Sequence, residues 1–401
     1  MPTPAPGMLR VTADRRYRRG WVLLTHPPSH SGTAEPIVEG VTGTGGGITL
    51  SIELWRATIA NALVEDISAY LYAGEVSYNS DRAIKHEGIF HLRDASVVSP
   101  YSDYLAVFMN RAYDDGTTAE RDQLGLYATK APPGTRTLER AEGIYTGADL
   151  TSVLARYAFD DAYNVAASTN YVTAVTTIMA LAGVTRYVLP ATTETTASII
   201  SFPVGTTYLE ACNTLLEAIG YYHLAMTKDG RLTSQPSRNV QYVEPYRTLT
   251  DTDLYAPVQT QPTDTTVANV VIVIQDNPNA AALTKTVRND DTSSPTGTPV
   301  IGERTRVEKR SDLATQAAVD ALATRLLSEG RTFYQTATLT VLPDPDAMTP
   351  HQTVDLDLTG ELEIFNGRWW VRTARIGLTP ATAGTVIEAN RVTDTIEGTL
   401  I

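Results

Sequence analysis

The run Ile48-Thr49-Leu50-Ser51-Ile52-Glu53-Leu54 alternates apolar and polar side chains without a break. A period of two puts one set of side chains on a single face of a pleated strand, so this run is a half-buried β-strand. Downstream, strand-like runs near 59–78, 83–92, 104–109 and 122–129 are separated by Asn79-Ser80-Asp81, Asp94-Ala95, Asp114-Asp115-Gly116 and Pro132-Pro133-Gly134. Short strands divided by turn residues predict a β-barrel or sandwich rather than βαβ units over the first 140 or so residues. Upstream, Trp21–Thr25 is a short strand candidate. The triplet Gly45-Gly46-Gly47 fits neither glycine-rich phosphate-binding pattern and precedes no helical period, so it reads as a turn into the strand.

The period then changes. Leu150, Val153, Leu154 and Tyr157 recur at helical spacing, and Thr146 with Asp149 supplies a capping-box signal, which predicts a helix starting near Gly147. A second helix, 170–182, follows Ser168-Thr169-Asn170 and stops at Gly183. The third has Thr207 and Glu210 as a capping box, Leu209, Cys212, Leu216 and Ile219 on one face, and Gly220 after its end. Tyr221–Thr227 and Arg231–Gln235, joined by Lys228-Asp229-Gly230, form a hairpin. Residues 145–240 therefore read as an α/β module.

Beyond it, Val267–Ile274 is an almost continuous apolar run suited to a buried strand. A loop from Asn289 to Pro299 carries Asp290, Asp291, Ser293, Ser294 and Gly297. One long helix is predicted over 312–329, with Val319, Leu322, Ala323 and Leu326 on one face and Gly330 as its stop. Strands follow near 333–342, 352–358, 362–378 and 384–393, the third turning at Asn366-Gly367.

The 401 residues suit two to four domains with ample core. Cys212 is the only cysteine, which excludes an intrachain disulfide and any multi-cysteine metal site. No stretch approaches the length of a membrane-spanning helix, and no secretory leader is expected at the N-terminus. The net charge of −13, from 45 acidic and 32 basic residues, argues against a phosphate-neutralising nucleic-acid binder. The basic cluster Arg10, Arg15, Arg16, Arg18 and Arg19 reads as a solvated segment or a contact arm.

His86, Glu87 and His91 resemble a displaced zinc-protease motif, but five-residue spacing in a strand sends the two histidines to opposite faces. Cys212 sits on the apolar face of a capped helix, where a thiol packs as a small hydrophobe. The pairs Asp344/Asp346, Asp355/Asp357 and Glu361/Glu363 have the i, i+2 spacing that a hydrolase or a calcium site uses, yet a turn and a solvated strand face explain them more simply. Trp369 and Trp370 suit either a sugar-stacking platform or cross-strand packing. No catalytic residue, metal ligand or cofactor-binding residue is assigned, and no cofactor is expected.

The order of pieces carries more than any single residue. A strand-rich start, Gly147–Leu150 opening a short helix, a second helix at 170–182, the run Pro203–Glu210 leading into Leu215–Tyr222, and the turn Asp229–Leu232 resemble the trimeric tail-hub family of tailed bacteriophages. Helix 312–329, the run Phe365–Val371, Ile376-Gly377-Leu378 and a closing strand fit the same pattern, so the resemblance spans about 48–393.

That resemblance implies a β-rich α+β chain in three parts: a β-barrel-like hub domain at 1–144, an inserted α/β module at 145–240, and a second β-rich hub domain at 241–401. It implies a structural virion protein, a homotrimer at the distal end of a tail, made in the cytoplasm of the infected bacterium. Its partners would be a hexameric tail-tube or distal tail protein and a spike, fibre or tape-measure protein. DNA would only pass through the channel, and no membrane insertion is expected. A lumen lined by acidic and uncharged side chains would ease that passage, with Arg10 to Arg19 turned toward protein neighbours. The alternatives from other classes are a tail-associated cell-wall hydrolase using Asp355 and Asp357, and a carbohydrate-binding adhesin using Trp369 or Trp370.

Overall fold

The computed structural model describes residues 48–99, 102–113, 119–130, 143–237, 243–254, 256–262, 268–276, 282–294, 296–310, 313, 316–379 and 384–392, with the strand segments 8–9, 22–24 and 38–39. The basic cluster at Arg10–Arg19 and the triplet Gly45–Gly47 lie outside the described residues. The chain divides into two compact units: Met1–Gln235 with Leu342–Pro350 and Ala374–Thr385, and Pro236–Val341 with His351–Thr373 and Val386–Ile401. The architecture is β-rich, with a large antiparallel sheet and few helices, and among the described residues the strand order does not close into a barrel. No helix among them is long and apolar enough to cross a membrane.

In the first unit Ile48–Ala57 pairs antiparallel with Tyr104–Tyr113, as its alternation predicts, and the sheet continues through Glu120–Thr129, Gly143–Ala148, His86–Leu92 and Leu71–Asn79. Leu54 is fully buried and Glu53 beside it is not. The run 59–78 is two strands, Leu63–Asp66 and Leu71–Asn79, divided by a short 3-10 turn at Ser68–Tyr70.

The helix expected near Gly147 begins instead at Thr151 and ends at Arg156. Gly147 and Ala148 are already held in the ladder, opposite Gly88 and Glu87 on one side and Thr129 and Ala128 on the other. Asp149 turns the chain by accepting the Thr151 N–H at 2.9 Å. The next two helices match their local signals. Tyr171–Leu181 is capped by Asn170 and Tyr208–Ala218 by Thr207, with left-handed Gly183 and Gly220 beyond their ends. The hairpin Ala225–Met226/Leu232–Thr233 turns at left-handed Gly230, and a Cβ there would stand 2.8 Å from Leu126 Cβ, so the turn sits directly on the strand Glu120–Thr129.

In the second unit the strand order runs Gly367–Gly377, Thr385–Val392, Phe333–Val341, Gln259–Pro262, and Thr353–Asp357 pairs both with Pro245–Thr250 and with the start of Gly367–Gly377. A separate three-stranded sheet has Val270–Gln275 at its centre, antiparallel to Thr284–Arg288 and parallel to Thr305–Arg310. The long helix Gln316–Thr332 packs Val319, Ala323, Leu326 and Leu327 onto Val271 and Val273. It runs past Gly330, because a glycine costs a helix interior only about 1 kcal/mol, too little to end it alone.

The hairpin predicted at Asn366-Gly367 is differently built. Gly360–Phe365 is a 3-10 turn, and the paired strands are Thr353–Asp357 and Gly367–Gly377, with Leu356 opposite Gly367. Asn366 closes the loop with its side chain: Oδ1 accepts from Leu358 N at 2.6 Å and Nδ2 donates to Leu358 O at 3.0 Å. The amide thereby imitates one rung of the ladder.

Candidate functional site

The strand His86–Leu92 separates its two histidines as its period requires. His91 is half-exposed and meets Tyr72 edge-on at 5.8 Å, next to exposed Ile144 on the adjoining strand. His86 is buried, 5.0 Å from the Tyr78 ring, with Nε2 2.7 Å from the Met348 carbonyl oxygen and Nδ1 3.4 Å from Asp149 Oδ2. Asp149, also buried, accepts from His86 N at 2.9 Å and from Thr151 N and Oγ1. Neighbouring Lys85 is buried too, donating to the Ser80 and Arg82 carbonyls at 2.6 and 3.2 Å. Burial pushes its ammonium down against the opposing pull of Asp149 and Asp81. These contacts join separated chain segments, and none opens a ligand to solvent. Among the described residues no three of His, Cys, Asp and Glu gather as a metal would need.

Cys212 is buried against Val175, and burial pushes its thiol up to about 12, which suits packing and not nucleophilic attack. The paired acids are dispersed among different partners. Asp355 is bound by both arms of Arg368, at 2.9 and 3.1 Å, while Asp357 is exposed. Asp344 caps the 3-10 turn Pro345–Met348, and Asp346 binds Lys228 at 2.6 Å. Glu361 and Glu363 are exposed on the turn Gly360–Phe365. Trp369 and Trp370 are both buried, and the Trp369 indole N–H donates to Phe365 O at 2.8 Å, so neither presents a face for stacking a sugar.

What sequence reasoning missed is on the surface. Ile364, on the turn expected to be a strand, is 59% exposed, and Val307 is 53% exposed in an edge strand. Isolated exposed apolar residues are ordinary, but Val307 stands opposite Ile272, which is itself only partly buried.

No protein-family model matches the sequence, and no curated protein matches it by sequence. Solved structures do match by fold. The tail protein from Neisseria meningitidis MC58 superposes with a TM-score of 0.61 at 13% identity, over 85% of this chain and 96% of that one. The 43 kDa tail protein of prophage MuSo2 from Shewanella oneidensis gives 0.58 at 11% identity, over 85% of this chain and 98% of that one. The resemblance read from the sequence thus holds at the level of fold, and the chain has a phage tail-protein fold.

Proposed function

We propose that the protein is a structural virion component: a homotrimeric hub at the distal end of a phage-type tail, joining a hexameric tail tube or distal tail ring to a trimeric spike or fibre. The observation that carries this reading is the tail-protein fold extending over 85% of the chain. Fold alone does not define function, and the side chains add their own support. Among the residues that catalysis could use, His86, Cys212, Asp344, Asp346 and Asp355 are engaged in packing, capping and ion pairs.

In this reading residues 1–144 and 241–401 each supply a barrel-like tube domain, related as distant duplicates, and 145–240 is the module between them. Three chains then present six similar surfaces, which resolves the mismatch between a threefold spike and a sixfold tube. DNA passes through, a tape-measure protein is a further neighbour, no membrane is entered, and no peptidoglycan is cleaved. The chain is made in the infected cell's cytoplasm.

Electron microscopy of intact particles carrying a tagged copy, with sedimentation of the purified chain, tests the reading. A trimer in solution and a label at the tail tip are expected. A label on the capsid, or a chain that stays monomeric at every concentration, would sink it.

A further inference from the structure

The strand Val270–Gln275 is apolar on both sides; one side is covered along its length, and on the other Val270 is buried while Ile272 and Ile274 are only partly covered. Val271 and Val273 are fully buried beneath the long helix. Alternation sends Ile272 and Ile274 to the opposite face, where the register sets them beside Thr286 and Thr284 on one flank and Val307 and Lys309 on the other. Both isoleucines are only half-buried, and Val307 is largely open. This face has an apolar centre of Ile272, Ile274 and Val307, with Arg288 and Lys309 at its ends; Arg288 is paired with Glu303. A strand meant to face water alternates, whereas one covered on both sides reads as this one does.

The same unit carries a feature of matching chemistry. The turn Gly360–Phe365 carries exposed Ile364 together with exposed Glu361 and Glu363. It is braced from beneath: Arg391 donates to the carbonyls of Ile364 and Asn366 at 3.0 and 3.3 Å, and Trp369 to that of Phe365. A knob held by its backbone loses little freedom on docking, and an apolar tip with acidic flanks complements an apolar face that has Lys309 at one end and the Arg288–Glu303 pair at the other.

We propose that the knob Gly360–Phe365 of one copy seats on the open face of the three-stranded sheet of the next copy, with Ile364 against Ile272, Ile274 and Val307 and with Glu361 and Glu363 toward Lys309 and Arg288. The occupant is a second copy of this chain because that copy presents an exposed acidic knob of the required polarity. The contact is head-to-tail, using different surfaces on the two partners, so it builds a closed ring when the rotation closes. It rests on the trimeric reading above and names where the copies meet.

The test is sedimentation velocity on the full chain with Ile364→Asp and Val307→Asp, each checked for folding by circular dichroism. Each variant is expected to weaken assembly at least about thirtyfold, the loss typical of a central interface residue. An equimolar mixture of the two should form a heterodimer, since one partner keeps an intact knob and the other an intact face. The surface swap Lys309→Glu should weaken assembly, and adding Glu361→Lys to the same chain should restore it. If both aspartate variants assemble like wild type, or their mixture stays monomeric, the contact is wrong while the trimer stands. Wild-type chain that is monomeric throughout overturns both.

Discussion

His86 and Met348, 262 positions apart, are joined by a hydrogen bond of 2.7 Å from Nε2 to the main-chain oxygen. A carbonyl only accepts, so Nε2 carries the proton, and Nδ1 is left facing Asp149 Oδ2 at 3.4 Å. His86 therefore ties its strand to the segment Pro345–Met348 through the ring and to the turn at Asp149 through its main-chain N–H, which donates to Oδ2 at 2.9 Å. His86→Phe keeps a ring against Tyr78 but leaves the Met348 carbonyl without its donor. We expect a loss of about 2–3 kcal/mol in urea unfolding, the penalty for orphaning buried polar groups. An unchanged unfolding midpoint would show that the bond contributes nothing.

Lys228 bridges Asp122 at 2.8 Å and Asp346 at 2.6 Å. Burial works against both charges of the Asp122 pair, but mutual hydrogen bonding wins: Asp122, bound also by Arg111, is held below the usual carboxylate range and Lys228 above the usual ammonium range. Asp122 therefore contributes stability that is present above the ordinary carboxylate pKa and lost as pH falls through its lowered value. Lys228 contributes stability lost only as pH rises through its raised one. Lys228→Met should cost about 1–2 kcal/mol near neutrality, with the gap from wild type closing at low pH as the carboxylates protonate. A gap constant from pH 7 down to pH 2 would contradict the assignment.

For Cys212 the expectation is inertness. With its thiol pushed up to about 12, the native protein at pH 8 holds only about one part in ten thousand as thiolate, so alkylation should await unfolding. The sign for stability follows from the same shift. As pH rises from the ordinary thiol value toward 12, the unfolded chain releases a proton that the folded chain keeps. Stability then declines by about 1.4 kcal/mol per pH unit from this group. Cys212→Ala should remove that component of the alkaline slope, read by denaturation between pH 8.5 and 10.5. Rapid native alkylation at pH 8 would refute the burial argument.

Local signals were the legible part of this fold. The alternation at Ile48–Leu54 and the caps Asn170 and Thr207 depend on neighbours within a few residues, and each appears where its pattern predicts. Thr146 and Asp149 carry an equally good capping pattern, yet the strand partners of Gly147 and Ala148 come from elsewhere in the chain and take the backbone first. Asn366-Gly367 misleads for a related reason: its Asn bonds back to Leu358 instead of starting a two-residue turn. The surface features were the least visible. That Ile272 lacks cover and Ile364 protrudes depends on which face the long helix takes, and the residues of that helix state only that it has an apolar face.

Gly230 and Gly183 form a matched pair that separates backbone strain from docking. Both are left-handed, with φ of +73° and +74°. Alanine at either site adopts a conformation that disfavours a Cβ by about 1–2 kcal/mol. At Gly183 the added methyl meets nothing within 4 Å, whereas at Gly230 it would stand 2.8 Å from Leu126 Cβ, closer than side-chain carbons pack. A Cβ is fixed to the backbone and cannot swing aside, so the hairpin itself must lift from the strand Glu120–Thr129, with an overpacking cost of about 1–3 kcal/mol. Gly183→Ala should therefore show the backbone cost alone, and Gly230→Ala that cost plus the displacement. Amide exchange supplies the local readout, since lifting the hairpin should speed exchange at Leu232, whose N–H donates to Arg186 O at 3.0 Å. Equal destabilisation by the two substitutions, with unchanged protection at Leu232, would mean that the hairpin does not rest on Leu126.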